Sequence, residues 1–187
     1  MPHVSVLESS LAALVVVDVQ ERMLGAVTTT RTDELVGGIV KLISAAKMLD
    51  IPILYTEQNP AGLGRTDHEL KDVLSGAQGP LVKSTCSAWR DENFREALQQ
   101  TRREHVILAG LEAHVCIQQT ALDLLRVDYT PFVAVDAVGS RRTHDMRTSL
   151  ARMRQAGVTI STVEALIFEM VERCDHPRFK DILRLVK

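Results

Sequence analysis

The sequence predicts an α/β protein: a three-layer sandwich in which a six-stranded, mainly parallel sheet lies between two layers of helices. Three observations carry that prediction. Strand-length runs such as Leu11 to Val19, apolar until Asp18, and His105 to Ala109 leave no polar face, so both sides of those strands must be covered. Such runs alternate with amphipathic stretches of helical spacing from one end of the chain to the other. No internal repeat, low-complexity tract or linker breaks the alternation, so residues 1–187 read as one domain.

The elements follow in order. After the first strand, Asp33 to Leu49 reads as a helix weakened by Gly37 and Gly38. Pro52 to Glu57 is a second strand, Asn59 to Arg65 a loop carrying Pro60, Gly62 and Gly64, and Asp67 to Leu74 a short helix. Leu81 to Ser84 forms a short third strand and Asp91 to Gln100 a helix. The fourth strand, His105 to Ala109, leads through Gly110 to Cys116. Beyond it, Ile117, Ala121, Leu124 and Leu125 fall on one helical face, with Gln118, Gln119, Asp123 and Arg126 on the other. Tyr129 to Ala137 is a fifth strand. Thr143 to Ala156 is a helix with Met146, Leu150 and Met153 inward, closed by Gly157. Val158 to Ser161 is a sixth strand, and two short helices finish the chain.

Composition narrows the function. A hydrophobic content of 45% fills one sizeable core, and a net charge of −2 with scattered basic residues argues against a nucleic-acid partner. No apolar run approaches the ~18 residues that span a bilayer, and Met1 to Ser10 lacks a secretory pattern, so no membrane partner is expected. The three cysteines are widely spaced, without CxxC pairs, which points to a reducing, cytoplasmic compartment. GxGxxG and P-loop patterns are missing, and no cofactor is expected.

In parallel sheets, ligands bind at the carboxyl ends of strands. Three reactive groups fall there. Asp18 ends the first strand amid apolar neighbours, Lys83 lies in the third, and Cys116 follows the fourth where a helix begins. Unpaired N–H groups and the helix dipole at such a start favour a thiolate, or an oxyanion formed by its attack. Together the three supply a nucleophile, a base and a cation that orients the base. Each also has a plainer reading: a core cysteine, a turn aspartate, an edge-strand lysine.

These residues carry a resemblance to a known family. The stretches Val16-Val17-Asp18-Val19-Gln20, Val82-Lys83-Ser84 and Gly110-Leu111-Glu112-Ala113-His114-Val115-Cys116 are similar to those of the isochorismatase-like cysteine hydrolases. So are Gln118 to Leu125, Val135 to Arg141, Leu150 to Gly157, and Glu164. Thr56 to Gly64 most resembles the isochorismatase domain-containing branch. The resemblance implies a Rossmann-like isochorismatase-like hydrolase fold and a homo-oligomer acting on a small molecule. It also implies Cys116 as nucleophile, Asp18 as general base and Lys83 as third member of a catalytic triad. A cis peptide between Leu111 and Glu112 would turn the Glu112 N–H beside that of Cys116 to form an oxyanion hole. The implied reaction is cleavage of an amide C–N bond through a thioester. Isochorismatase-type ether cleavage and an idle scaffold are the alternatives. Nicotinamidases of this family carry a metal-binding Asp-x-His after the second strand. Here the region reads Tyr55-Thr56-Glu57-Gln58-Asn59-Pro60, with His68 alone nearby, and no metal is predicted.

Four further residues are candidates for substrate binding. Trp89 follows Lys83 by a short loop and reads as pocket wall or core. Gln20 orients substrate or Lys83, or caps a turn. Glu57, with Gln58, lies at a strand end that sets specificity or meets solvent. His114 reaches the pocket or a subunit contact. Cys86 and Cys174 read as structural, so iodoacetamide is expected to modify Cys116 first.

Overall fold

The computed structural model describes residues 6–187. The reading of Met1 to Ser10 therefore falls partly outside the described residues. Six strands form one sheet: β1 (Ala12–Val17), β2 (Ile53–Gln58), β3 (Gln78–Lys83), β4 (His105–Leu111), β5 (Thr130–Gly139) and β6 (Thr159–Ser161). Their order is β3-β2-β1-β4-β5-β6, and every adjacent pair is parallel. The helices are α1 (Glu21–Leu24), α2 (Thr32–Met48), α3 (Pro60–Leu63), α4 (His68–Val73), α5 (Glu92–Thr101), α6 (Gln118–Leu125), α7 (Thr143–Ala156), α8 (Val163–Val171) and α9 (Phe179–Val186).

Strand β1 shows why the sheet is covered twice. Its residues Ala12, Leu14 and Val16 join a core built with α2, α4, α8 and α9, while Ala13, Val15 and Val17 join a second core with α5, α6 and α7. Burying both faces of a six-residue strand that carries no polar side chain stabilises its central place through the hydrophobic effect. Local signals set the helix starts. Asp67, Asp91 and Thr162 accept hydrogen bonds from the backbone N–H groups of Glu69, Phe94 and Ala165. Gly38 lets α2 pack directly on β5, because a Cβ there would lie 3.3 Å from the Asp136 carbonyl.

Among the details that differ from the sequence reading, three bear on the site. The third strand begins at Gln78 rather than Leu81, because backbone pairing to β2 carries Gln78 and Gly79 into the sheet despite their weak strand character. The loop after β2 contains the single turn α3, started by Pro60. Cys116 lies inside a π-helical turn, Ala113–Ile117, that precedes α6.

Candidate active site

Strands β1 and β4 are adjacent although distant in sequence, and the chain runs away from them in opposite directions across the sheet. A crevice at such a switch point is where open parallel sheets bind ligands. Gly110, near the end of β4, makes the junction tight. Its φ is +116°, and a Cβ there would lie 2.1 Å from the Val17 carbonyl oxygen, so only glycine fits beside the end of β1.

Asp18 follows β1 with a left-handed backbone, φ 50°, which aspartate tolerates better than most residues. It is fully buried. Thr56, on β2, donates its hydroxyl to Asp18 Oδ1 at 2.6 Å, and the Asp18 N–H donates to the Thr56 hydroxyl at 3.2 Å. Lys83 reaches the same carboxylate from β3, with Nζ 2.6 Å from Oδ2. The contact is ionic rather than directional, because no donor meets Oδ2 within hydrogen-bond angles. Strand alternation explains the inward lysine. On this edge strand Val82 is 47% exposed, whereas Lys83 is 2% exposed.

Nζ of Lys83 is also 2.7 Å from Gln58 Oε1, 3.1 Å from the Thr85 carbonyl and 3.7 Å from Cys116 Sγ. The sheet thus brings Asp18, Lys83 and Cys116 together in one buried cluster. Cys116 itself is 4% exposed. Burial, then the neighbouring Asp18 carboxylate, push its thiol up to about 12, and the Lys83 ammonium pulls more weakly the other way. Burial and the adjacent carboxylate thus favour the neutral thiol at rest. Cys86 and Cys174 are exposed free thiols, so the labelling order expected from burial is the reverse of the one read from sequence.

The π-turn holding Cys116 is a rare local geometry that recurs at functional sites. The Leu111–Glu112 peptide preceding it is cis. Within the turn, the Val115 and Ile117 N–H groups both donate to the Glu112 carbonyl at 3.1 Å. The Glu112 N–H donates to no backbone or side-chain acceptor among the described residues. Its carboxylate is held by Arg141 at 2.8 Å. His114 lies in the same turn, with Nδ1 3.0 Å from the hydroxyl of Ser140, the residue that follows β5.

The remaining candidates lie elsewhere. Glu57 points to the opposite face of β2, where its Oε1 accepts from the Thr66 N–H at 2.7 Å and hydroxyl at 2.8 Å. The strand period of two puts Thr56 and Gln58, not Glu57, on the side of the cluster. Trp89 stacks against Tyr129, ring centroids 5.3 Å apart. Tyr129 precedes β5, so Trp89 packs at the amino-terminal end of the sheet and does not line the cluster. Gln20 is fully buried, and its amide is spent on backbone: Nε2 donates to the carbonyls of Gln58 and Gly64, and Oε1 accepts from the Gln58 N–H. It contacts the cluster only through Gln58. His68 is exposed beside Asp67, and among the described residues no three His, Cys, Asp or Glu side chains are grouped so as to hold a metal ion. No helix among the described residues is long and apolar enough to cross a membrane.

An all-parallel sheet with such a strand-end cluster is the architecture of a hydrolase of the α/β class. Residues 12–165 match the isochorismatase domain, and the chain belongs to that family. Mouse isochorismatase domain-containing protein 2A is 40% identical over 82% of this chain and 73% of its own length. The secreted isochorismatase effector Isc1 of Phytophthora sojae is 36% identical over 100% of this chain and 86% of its own. Among solved structures, the MAR1 ribonuclease of Caenorhabditis elegans superposes with a TM-score of 0.87 at 34% identity, covering 97% of this chain and 92% of the other. YcaC of Pseudomonas aeruginosa, solved with covalent acrylamide, gives 0.90 at 26% identity over the same shares, 97% and 92%. YcaC of Escherichia coli, described as an octameric hydrolase of unknown specificity, gives 0.88 at 25% identity, covering 100% and 96%.

Proposed function

We propose that this chain is a cysteine hydrolase that cleaves the amide C–N bond of a small molecule through a thioester on Cys116. The observation that carries the reading is the buried contact set around Lys83 Nζ, 2.6 Å from Asp18 and 3.7 Å from Cys116. Asp18 takes the thiol proton as Sγ attacks the substrate carbonyl carbon, so a neutral resting thiol is compatible with the chemistry. The resulting oxyanion is held by the N–H groups of Glu112 and Cys116, where one donor is typically worth ~100–1000-fold in rate. Asp18 returns its proton to the leaving nitrogen, the C–N bond breaks and the amine departs. Water, deprotonated by Asp18, then attacks the thioester and releases the acid and the thiol. Lys83, 2.6 Å from Oδ2, orients the Asp18 carboxylate throughout. His114, two residues before Cys116 in the same π-turn, is assigned to substrate contact.

Covalent acrylamide in the Pseudomonas relative supports a small amide reaching a nucleophile in this fold. Enol-ether cleavage of the isochorismatase type needs no thiol, and an idle scaffold needs no ion pair kept out of water; the buried cluster favours the amidase reading over both. RNA cleavage, the activity named for the Caenorhabditis relative, fits less well with a net charge of −2. The octameric Escherichia relative supports a homo-oligomer, and light scattering is expected to give a multiple of 20.7 kDa. Cysteine spacing supports the cytoplasm as its compartment, with the secreted Phytophthora relative as the counter-example that localisation imaging would weigh. The test of function is intact-mass analysis after incubation with a panel of small amides, with isochorismate and a short RNA as comparison substrates. One acyl group on Cys116, absent in Cys116→Ala, is the expected result. Turnover that survives Cys116→Ala would overturn the proposal.

A further inference from the structure

We infer that Gln58 is a positioning residue that fixes the Lys83 ammonium between Asp18 and Cys116, and that Gln20 acts through Gln58. The inference rests on the hydrolase reading above and deepens it. A lysine ammonium has three protons. Nζ is in ionic contact with Asp18 Oδ2 at 2.6 Å and donates to Gln58 Oε1 at 2.7 Å and the Thr85 carbonyl at 3.1 Å, with the Cys86 carbonyl at 3.5 Å and Cys116 Sγ at 3.7 Å as longer contacts. The amide and backbone oxygens replace the water that a buried cation has lost.

The orientation of the Gln58 amide is set by its neighbours. Its Nε2 donates to the Ser84 carbonyl at 3.1 Å, which turns Oε1 toward Nζ. Its own backbone is clamped by Gln20, which accepts from the Gln58 N–H at 2.7 Å and donates to the Gln58 carbonyl at 3.1 Å. Gln20 also donates to the Gly64 carbonyl at 2.6 Å, so the turn after β2 is tied to the same point. The charged or titratable groups facing Nζ are the Asp18 carboxylate and the Cys116 thiol. The Cys86 thiol lies in the loop beyond, and the Glu57 carboxylate is turned to the other face of β2.

The test uses the whole chain with Cys86→Ser and Cys174→Ser, which leaves Cys116 as its one thiol. Modification by iodoacetamide is followed by intact mass from pH 7 to 9, where log rate tracks the thiolate fraction. Gln58→Leu withdraws the acceptor, so the ammonium is less firmly held and less stabilised, and the thiol rises further. A rise of about one unit cuts the thiolate about tenfold, partly offset by greater nucleophilicity, so the rate falls about three- to tenfold at every pH. Gln58→Asn and Gln20→Leu shift it the same way by less. A merely structural role has the opposite sign: loosening exposes the buried thiol and speeds modification while Tm falls. Rates in Gln58→Leu equal to or above the parent overturn the inference. Asp18→Asn in the same background separates the two layers. If it leaves the rate unchanged, the hydrolase reading itself fails; if only Gln58→Leu does so, the positioning role alone fails.

Discussion

In the proposed mechanism a thiol that starts neutral loses its proton during the attack, and beside Cys116 the proposed acceptor, Asp18, and the cation, Lys83, are already paired with each other. This has a consequence for stability. The unfolded thiol ionises near its ordinary value of 9.0, whereas the folded one is held up to about 12. The folded state therefore keeps a proton that the unfolded state loses. Stability from this group is undiminished below pH 9 and declines as pH rises toward 12, by about 1.4 kcal/mol per pH unit. Denaturant titrations of the parent and Cys116→Ala at pH 8 and pH 10 check it. The parent is expected to lose more stability over that interval, and equal losses would count against a buried neutral thiol. At this scale the sequence was informative about identity but not about ionisation. Asp18 and Lys83 could be picked out as residues near strand ends, yet their opposing effects on Cys116 depend on burial and distance, which spacing does not report.

Strand period decides much of the site at the scale of elements. On β2, Thr56 and Gln58 face the cluster and Glu57 faces away, although all three belong to one short polar run. The run was legible as a strand end; which members face the cluster depends on the register with β1 and β3. Glu57→Gln is accordingly expected to cost about 1–2 kcal/mol by weakening the charged acceptor for Thr66, while leaving Cys116 modification unchanged. A thermal melt and the labelling rate read the two effects separately. For Trp89 the core reading, not the pocket-wall one, fits the packing: the turn at Ala88–Arg90 carries the indole toward Tyr129, and closeness to Lys83 along the chain does not carry over into space. The crossing of β1 and β4 makes a sharper demand. Gly110→Ala places a methyl against the Val17 carbonyl at a positive φ, and the combined penalty is at least about 2–4 kcal/mol. Its Tm should fall, and amide turnover should fall with it as the π-turn is displaced. Unchanged melting would show that β4 does not approach β1 so closely.

Across the whole molecule, a sheet order with β1 and β4 at its centre explains how three distant stretches meet. The alternation of apolar runs and amphipathic helices was enough to foresee two helical layers on a parallel sheet. Strand order was not, because it depends on crossovers that no local pattern encodes. β3 proves to be an edge strand, separated from β1 by β2, about 10 Å in strand spacings. A long lysine side chain is what lets that edge take part: Lys83 extends over β2 beside Thr56 and Gln58 to reach Asp18. The central claim is that Asp18 both restrains the Cys116 thiol and serves as its base, and one paired measurement on Asp18→Asn tests it most directly. With Cys116 as the sole thiol, removing the negative charge should lower its pKa beside the remaining ammonium and speed alkylation, while amide turnover collapses by about 100-fold or more. Alkylation that stays level or slows, or turnover that persists, would contradict the account.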